Sequence, residues 1–126
     1  MNEKIAAVER LKKEKDAVIL AHYYVRDEVQ EVADYIGDSY YLSEIATKVK
    51  EKTIVLCGVS FMGESAKILN PDKVVLLPDA HADCPMAHMA TVEKIGEMRE
   101  KYQDLAVVCY VNSTAELKTH ADVCVT

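Results

Sequence analysis

Short apolar runs alternate with amphipathic segments along this chain, and that alternation constrains its fold more than any other feature. Four continuous apolar runs of strand length occur at residues 17–22, 53–58, 73–78 and 106–111. Uninterrupted runs of this kind are typical of strands that are covered on both faces, as in parallel sheets. The alternation therefore predicts an α/β fold, a three-layer αβα unit in which helices cover both faces of a parallel sheet.

The segments between these runs have helical periodicity. In residues 27–37 the apolar positions are Val29, Val32, Ala33 and Ile36, with Gly37 as a candidate C-terminal cap. This spacing predicts one amphipathic helix that ends at the glycine. Residues 42–49 repeat the stripe, residues 62–71 predict a short helix stopped by Asn-Pro, and Thr91 can cap a helix that runs to Tyr102.

The chain also contains an internal repeat at a shift of 88 residues. The matched pairs are Glu28 with Glu116, Val29 with Leu117, Asp34 with Asp122, His22 with Tyr110, and Tyr24 with Asn112. Repetition of this kind indicates a duplicated structural unit, although two strand-helix junctions can also be alike by chance. We expect residues 1–104 to form a first α/β unit and residues 105–126 to supply the opening strand and helix of a second, so that the chain is a piece of something longer.

Polar and reactive residues follow the predicted strands at the points where each strand ends. His22 and Tyr24 follow the first run, Met62 the second and Cys84 the third, while Tyr110 and Asn112 close the fourth. Ligands of open α/β sheets bind beyond the carboxyl ends of the strands. We therefore expect the functional site at this edge.

The four cysteines fall into two groups. Three lie in apolar runs, where a small buried hydrophobe fits, and are Cys57, Cys109 and Cys124. Cys84 instead lies in the loop AHADCPMAHMA, and we expect it to be accessible and to carry chemistry. The H-x2-C-x3-H spacing of His81, Cys84 and His88 leaves a zinc site open as an alternative.

Charge and hydropathy exclude two classes of partner. The chain has 21 acidic against 15 basic residues, a net charge of −6, and no basic stripe interleaved with aromatic residues, which argues against nucleic acid. No apolar stretch approaches the roughly 20 residues of a membrane helix. The N-terminal segment mixes both charges and lacks the apolar core of a secretory signal, so we expect a cytoplasmic protein with reduced thiols.

Several long segments together carry a family resemblance. AHYY, VQEVADYIGDSYYLSEIA, GVSFMGESAKILNPDKVVLLPD, ADCPMA and YVNSTAELKT closely resemble the N-terminal part of the quinolinate synthase family. The resemblance implies three α/β units related by pseudo-threefold symmetry, with a 4Fe-4S cluster at the centre that takes one cysteine from each unit. It also implies a transferase of NAD biosynthesis that condenses iminoaspartate with dihydroxyacetone phosphate to quinolinate, losing phosphate and two waters, and a functional link to L-aspartate oxidase.

The resemblance also implies roles for individual residues. Cys84 matches the first cluster ligand, and the other two ligands would lie beyond residue 126, which leaves one iron open as a Lewis acid. The matched substrate-binding positions are His22, Ser39, Met62, Tyr110 and Asn112, and the matched catalytic positions are Tyr24, His22 and Tyr110. Tyr24 is the best candidate for proton transfer. The backbone amide of Met62, at the start of a helix, could meet an anion.

Structural roles remain open for several of these residues. Ser39 could be only a helix N-cap, and Ser113 could form a capping box with Glu116. His22 could be a satisfied histidine at a strand end, and Tyr110 a core aromatic. A non-catalytic folding unit is a further alternative, because we expect the 126 residues alone to be inactive and to self-associate through the segment after Leu105.

Overall fold

The computed structural model describes residues 2–126 and divides the chain into two compact units, the first ending at Ala82 and the second running from Asp83 to Thr126. The first unit comprises α1 Glu3–Glu14, β1 Ala17–His22, α2 Asp27–Glu31, β2 Tyr35–Gly37, α3 Ser39–Ala46, β3 Thr53–Cys57, α4 Ser60–Leu69 and β4 Val74–Leu76. The second comprises a 3-10 turn at Pro85–His88, α5 Val92–Lys101, β5 Val108–Tyr110, α6 Ala115–Lys118 and β6 Val123–Val125. The break falls earlier in the chain than the boundary expected at residue 105.

The sheet of the first unit confirms the predicted α/β class. Its four strands are all parallel and lie in the order β2-β1-β3-β4, with helices on the sides. The central strand β1 is covered on both faces, since consecutive residues from Val18 to Ala21 are all buried. Leu20, Leu42, Ile54 and Leu56 are the largest fully buried side chains. Full burial of each contributes about 1.5–3 kcal/mol.

The single helix predicted over residues 27–37 is wrong in its second half. Helix α2 ends at Glu31, and Tyr35–Gly37 forms strand β2, which pairs in parallel with β1. An isolated helix of about ten residues is marginal. Pairing with β1 gives residues 35–37 both backbone hydrogen bonds and a place beside a buried strand, and this tertiary gain outweighs the local periodicity.

Two of the capping roles considered for serines are also wrong. Helix α3 is capped by Asp38, whose carboxylate accepts a backbone N–H of the first turn at 2.8 Å, so Ser39 is the first helical residue. Helix α6 is capped by Thr114, while Ser113 is buried. The predicted cap Thr91 does cap α5, where its hydroxyl accepts the backbone N–H of Lys94 at 3.1 Å.

The second unit repeats the opening of the first. Strand β5 pairs in parallel with β6, and the register Val108↔Val123 is 88 residues from the register Leu20↔Tyr35 of β1 and β2. The order helix, strand, short helix, strand is also the same. The 88-residue repeat of the sequence is therefore a repeat of the structure.

An aspartate just before the second strand fastens each repeat, and we call this arrangement the aspartate clamp. Asp34 accepts the N–H of Ile19 at 2.8 Å and donates its own N–H to the oxygen of Ile19 at 2.9 Å. Asp122 does the same with Val107, at 2.7 and 2.9 Å. A cation from the preceding helix completes each clamp: Lys12 lies 2.7 Å from Asp34, and Arg99 lies 3.2 Å from Asp122.

Candidate active site

The strand order of the first unit marks where a ligand would bind. Because β2 lies on one side of β1 and β3 on the other, the order reverses between β1 and β3, and ligands of open α/β sheets bind beyond the carboxyl ends at such a reversal. His22 ends β1, Ser39 begins the helix after β2, and Met62 lies in the first turn of the helix after β3. Three of the predicted residues thus share one edge of the sheet.

The His22 ring is held on several sides. It stacks on Tyr23 with ring centroids 4.6 Å apart and planes 22° apart, and it lies 4.7 Å from the Tyr24 ring. The backbone N–H of Tyr24 donates to Nδ1 of His22 at 3.1 Å. Burial lowers the pKa of His22, and the charge of Asp38 only partly opposes this. A neutral ring whose Nδ1 accepts a hydrogen bond carries its proton on Nε2, so His22 can donate from that atom.

Of the two tyrosines that follow His22, only Tyr24 was predicted from the sequence as a site residue. Tyr24 is 82% exposed, so its phenol is accessible and packs into no core. Tyr23 was not singled out by sequence reasoning, although it lies beside Tyr24 in AHYY. A hydrogen bond with the Tyr24 side chain, together with the charges of Tyr24 and Asp38 and slight desolvation, raises the pKa of Tyr23. The rings of the two tyrosines also contact each other edge to face, with centroids 4.5 Å apart.

Met62 does not have the free backbone amide predicted for it. Its N–H donates to the oxygen of Val59 at 3.1 Å, so this group is not available to an anion. The residue is 3% exposed and packs at the carboxyl edge of the sheet, where a Cβ on Gly58 would lie 2.9 Å from its sulfur. A side chain at position 58 would therefore displace the end of the Met62 side chain.

The second unit has its own polar pair, at the carboxyl end of β5. The side-chain amide of Asn112 donates to the hydroxyl of Tyr110 at 3.0 Å. Tyr110 is 54% exposed, so it is not a core aromatic. These two residues occupy the repeat positions of His22 and Tyr24, and they border an apolar cavity of about 230 Å³ that Met86 also lines. Each unit therefore presents two interacting side chains at the same place.

A buried serine fixes the backbone beneath Tyr110. The hydroxyl of Ser113 donates to the carbonyl oxygen of Tyr110 at 2.8 Å and lies 3.1 Å from the sulfur of Cys109. Both side chains are buried. Sequence reasoning considered Ser113 only as a helix cap, whereas the structure makes it a support for the strand end that carries Tyr110.

The cysteines occupy four different environments. Cys84 is half-buried in the loop before the 3-10 turn, Cys109 is buried, and burial raises the pKa of the half-buried Cys57. Cys124 was expected in the core, but it is exposed. An apolar run predicts burial only where other elements cover the strand, and the sheet of Cys124 has two strands among the described residues.

Comparison with known proteins decides the family. Residues 6–126 match the family described as Quinolinate synthetase A protein. The chain belongs to the quinolinate synthase family. Proteins named quinolinate synthase are similar to it: that of Fusobacterium nucleatum is 67% identical over 119 residues, covering 94% of this chain and 40% of the relative. That of Clostridioides difficile is 56% identical over 94% of this chain and 39% of the relative, and that of Clostridium perfringens strain 13 is 57% identical over 93% and 39%.

The chain therefore spans about 40% of the length of the quinolinate synthases that it matches. Residues 2–126 contain no helix that is long and apolar enough to cross a membrane. Most of each relative therefore lies outside the matched region.

The loop of Cys84 fits a single thiolate ligand better than a closed metal site. Across residues 2–126, no three His, Cys, Asp or Glu side chains are gathered so that they could hold a metal ion. Nε2 of His88 lies 2.7 Å from a carboxylate oxygen of Asp83. The structure thus gives no support to the zinc alternative. A half-exposed loop thiol does suit one ligand position of an iron-sulfur cluster.

Proposed function

We propose that this chain is part of a quinolinate synthase of NAD biosynthesis, a transferase that condenses iminoaspartate with dihydroxyacetone phosphate to quinolinate, releasing phosphate and two waters. The observation that carries the proposal is family membership over residues 6–126. The chain would contribute the first of three α/β units and the opening of the second. A functional link to L-aspartate oxidase belongs to the same proposal.

The candidate substrate-binding residues are of the type that an anionic substrate requires. Iminoaspartate carries two carboxylates, which accept hydrogen bonds, and the residues supply donors: Nε2–H of His22, the hydroxyl of Ser39 and the amide of Asn112. His22 is suited to this role because the bond from the Tyr24 amide leaves its proton on Nε2. Met62 would form an apolar wall in the first unit, to which His22 and Ser39 also belong.

Proton transfer is the role proposed for Tyr24. Loss of water from a carbon skeleton requires one group to take a proton and another to give one, and a positioned phenol can do both. The Tyr24 side chain is exposed and has the His22 ring 4.7 Å away as a neighbour. His22 is the second candidate, and Tyr110, whose hydroxyl accepts from Asn112, is the third.

Cys84 is proposed as one of three cysteine ligands of a 4Fe-4S cluster. Three thiolates on four irons would leave one iron as a Lewis acid for substrate oxygen or nitrogen. The role of this chain is to hold the thiolate. The N–H of Cys84 bonds to the side chain of Asp83 at 2.8 Å, and Pro85 follows as the first residue of a 3-10 turn, so the backbone on both sides of the thiol is constrained.

The experiment compares cysteine variants of the longer protein that contains this chain. Under anaerobic conditions, Cys84→Ser should lose iron, acid-labile sulfide, the brown absorbance near roughly 400 nm and quinolinate formation together. Cys124→Ser is the matched control, because it removes an exposed thiol that has no proposed ligand role, and it should keep all four. Full iron content and activity in the Cys84 variant would refute the proposal.

A further inference from the structure

The side chain of Gln30 ties helix α2 to the turn that follows β1. Its Nε2 lies 3.1 Å from the oxygen of Tyr23 and 2.8 Å from the oxygen of Val25. Both partners are carbonyl oxygens, which only accept, so the amide must donate both bonds. The backbone of Gln30 is itself fixed, since its N–H donates to Arg26 and its oxygen accepts from Ala33, both at 3.1 Å. A residue whose own backbone is fixed therefore holds two carbonyl groups of one turn.

The turn that Gln30 holds makes two hydrogen bonds to His22, one of them to its ring. The N–H of Val25 donates to the oxygen of His22 at 3.0 Å, which closes the turn. The N–H of Tyr24, between the two carbonyls that Gln30 holds, donates to Nδ1 of His22 at 3.1 Å. A backbone amide can only donate, so this contact requires an unprotonated Nδ1 and selects one tautomer of the neutral imidazole. The contact exists only while the turn keeps the Tyr24 amide in place.

We propose that Gln30 is a positioning residue that holds the turn at residues 23–25, so that the Tyr24 amide keeps His22 as a neutral imidazole with its proton on Nε2. The relevance of this to substrate rests on the role proposed above for His22. Tyr23 supports the arrangement by stacking on the ring. Gln30 itself lies on helix α2 and not at a strand end.

The arrangement has a consequence for the form in which His22 binds an anion. The ionisable groups that face it are Asp38, which favours a charged ring, and the phenols of Tyr23 and Tyr24. A neutral donor needs no protonation, so hydrogen bonding from Nε2 should persist as the pH rises above the ordinary histidine value of about 6.5. An imidazolium contact would instead weaken over that range.

The tautomer can be read directly from this chain. Long-range ¹H–¹⁵N correlation spectra of the histidine rings distinguish a protonated from an unprotonated ring nitrogen, and we expect His22 to have its proton on Nε2 at neutral pH. In Gln30→Met, which keeps the length of the side chain but removes both donors, we expect the His22 signals to shift towards a mixture of tautomers. Glu31→Gln, an exposed change at the next position of the same helix, is the control and should leave them unchanged.

Two results would overturn the positioning role. One is a proton on Nδ1 of His22 in the unmodified chain, and the other is an unaltered His22 spectrum in folded Gln30→Met. If the methionine variant does not fold, Gln30→Glu gives the same test, because a carboxylate of the same shape cannot donate either bond.

A kinetic comparison in the longer protein separates this inference from the proposed function. With Gln30→Met we expect the KM for iminoaspartate to rise roughly tenfold, on the scale of one misplaced hydrogen bond, with kcat changed much less. A tautomer that responds in the spectra without any change in KM would support the positioning role and refute substrate binding by His22. An unchanged tautomer refutes the positioning role, whatever the kinetics.

Discussion

At the residue scale, the environment of each thiol decides whether it can react. Cys124 is exposed and Cys84 half-buried in a loop, whereas Cys109 is buried beside Ser113. Burial raises the pKa of Cys57, so its nucleophilic thiolate is disfavoured. Accessible and protected thiols therefore occur in the same small chain.

This difference gives a labelling prediction. When the native, metal-free chain is treated with a bulky thiol reagent and the products are mapped by mass spectrometry, we expect Cys124 and Cys84 to be modified well before Cys57 and Cys109. Cys124→Ser should leave Cys84 as the only fast site. Early modification of Cys109 would mean that the strand end beneath Tyr110 opens readily in solution.

A second prediction concerns the Tyr24 hydroxyl. Because the side chain is 82% exposed, Tyr24→Phe should leave the free energy of unfolding nearly unchanged. In the longer protein we expect turnover to fall by about 100-fold, the usual scale for loss of a general acid or base. Tyr40→Phe removes another exposed phenol, on helix α3, and should retain full turnover. A Tyr24 variant that loses stability but keeps its turnover would make the hydroxyl structural.

The sequence predicted residues at strand ends better than the contacts that hold them. His22, Tyr110 and Asn112 lie at strand ends in the predicted pattern and also in the structure, whereas Ser39 follows strand β2, which the sequence pattern did not predict. Gln30 and Tyr23 could not be predicted from the sequence. Gln30 contributes hydrogen bonds to a turn and Tyr23 contributes ring stacking, and neither leaves a periodic signal in the sequence. The amide of Met62 was misjudged for a related reason, since its bond to Val59 depends on the local turn.

At the element scale, two sequence signals conflicted over residues 27–37. Helical spacing extended α2 to Gly37, while the 88-residue repeat placed Ala33-Asp34 over Ala121-Asp122, just before an apolar run of strand type. The structure follows the repeat, with strands at both 35–37 and 123–125. A short amphipathic spacing is compatible with a helix or with a helix followed by a strand. A repeat is more specific, because both of its copies must form the same strand pairing.

The aspartate clamp of the second unit predicts a pH dependence. The bond from the Val107 N–H, and then Arg99, hold the pKa of Asp122 below its ordinary value of 3.8. A lowered carboxyl pKa contributes stability that is present above the ordinary value and is lost as the pH falls through the folded-state pKa. We therefore expect the unfolding free energies of the unmodified chain and Asp122→Asn to differ at neutral pH and to converge in acid.

Unfolding curves between neutral pH and pH values below the ordinary aspartate pKa would measure this convergence. Asp104→Asn, an exposed carboxylate outside the clamp, is the matched control and should follow the unmodified chain throughout. A difference for Asp122→Asn that is independent of pH would assign the effect to packing instead of ionisation.

At the scale of the whole molecule, the alternation of apolar runs was sufficient to predict the α/β class and the parallel sheet. It was not sufficient to predict where the chain divides into two units, because helix α5, judged only by its position in the sequence, would be the last helix of the first unit. Its Arg99 binds the carbonyl of His120 and the carboxylate of Asp122, so α5 belongs to the second unit. Long-range contacts of this kind have no local sequence signature.

The exposed valines of the second sheet predict association between copies. Val108, Val123 and Val125 are 60%, 50% and 42% exposed on a two-stranded sheet. Exposed apolar strands are templates for further pairing. We expect the apparent molar mass of the 126-residue chain, measured by light scattering, to rise with concentration. The double variant Val108→Thr, Val123→Thr keeps β-branched side chains and should reduce that rise. A monomer at high concentration would contradict this expectation.

The spacing of the aspartate clamp also bears on the order in which the chain folds. In each copy the clamp joins residues 15 positions apart, whereas β1 pairs with β3 between residues such as Ala17 and Thr53. Shorter loops cost less entropy to close, and contacts between near neighbours form faster. The first two strands can therefore pair on a nascent polypeptide before β3 has left the ribosome, and the second copy can repeat that step independently when its own aspartate emerges.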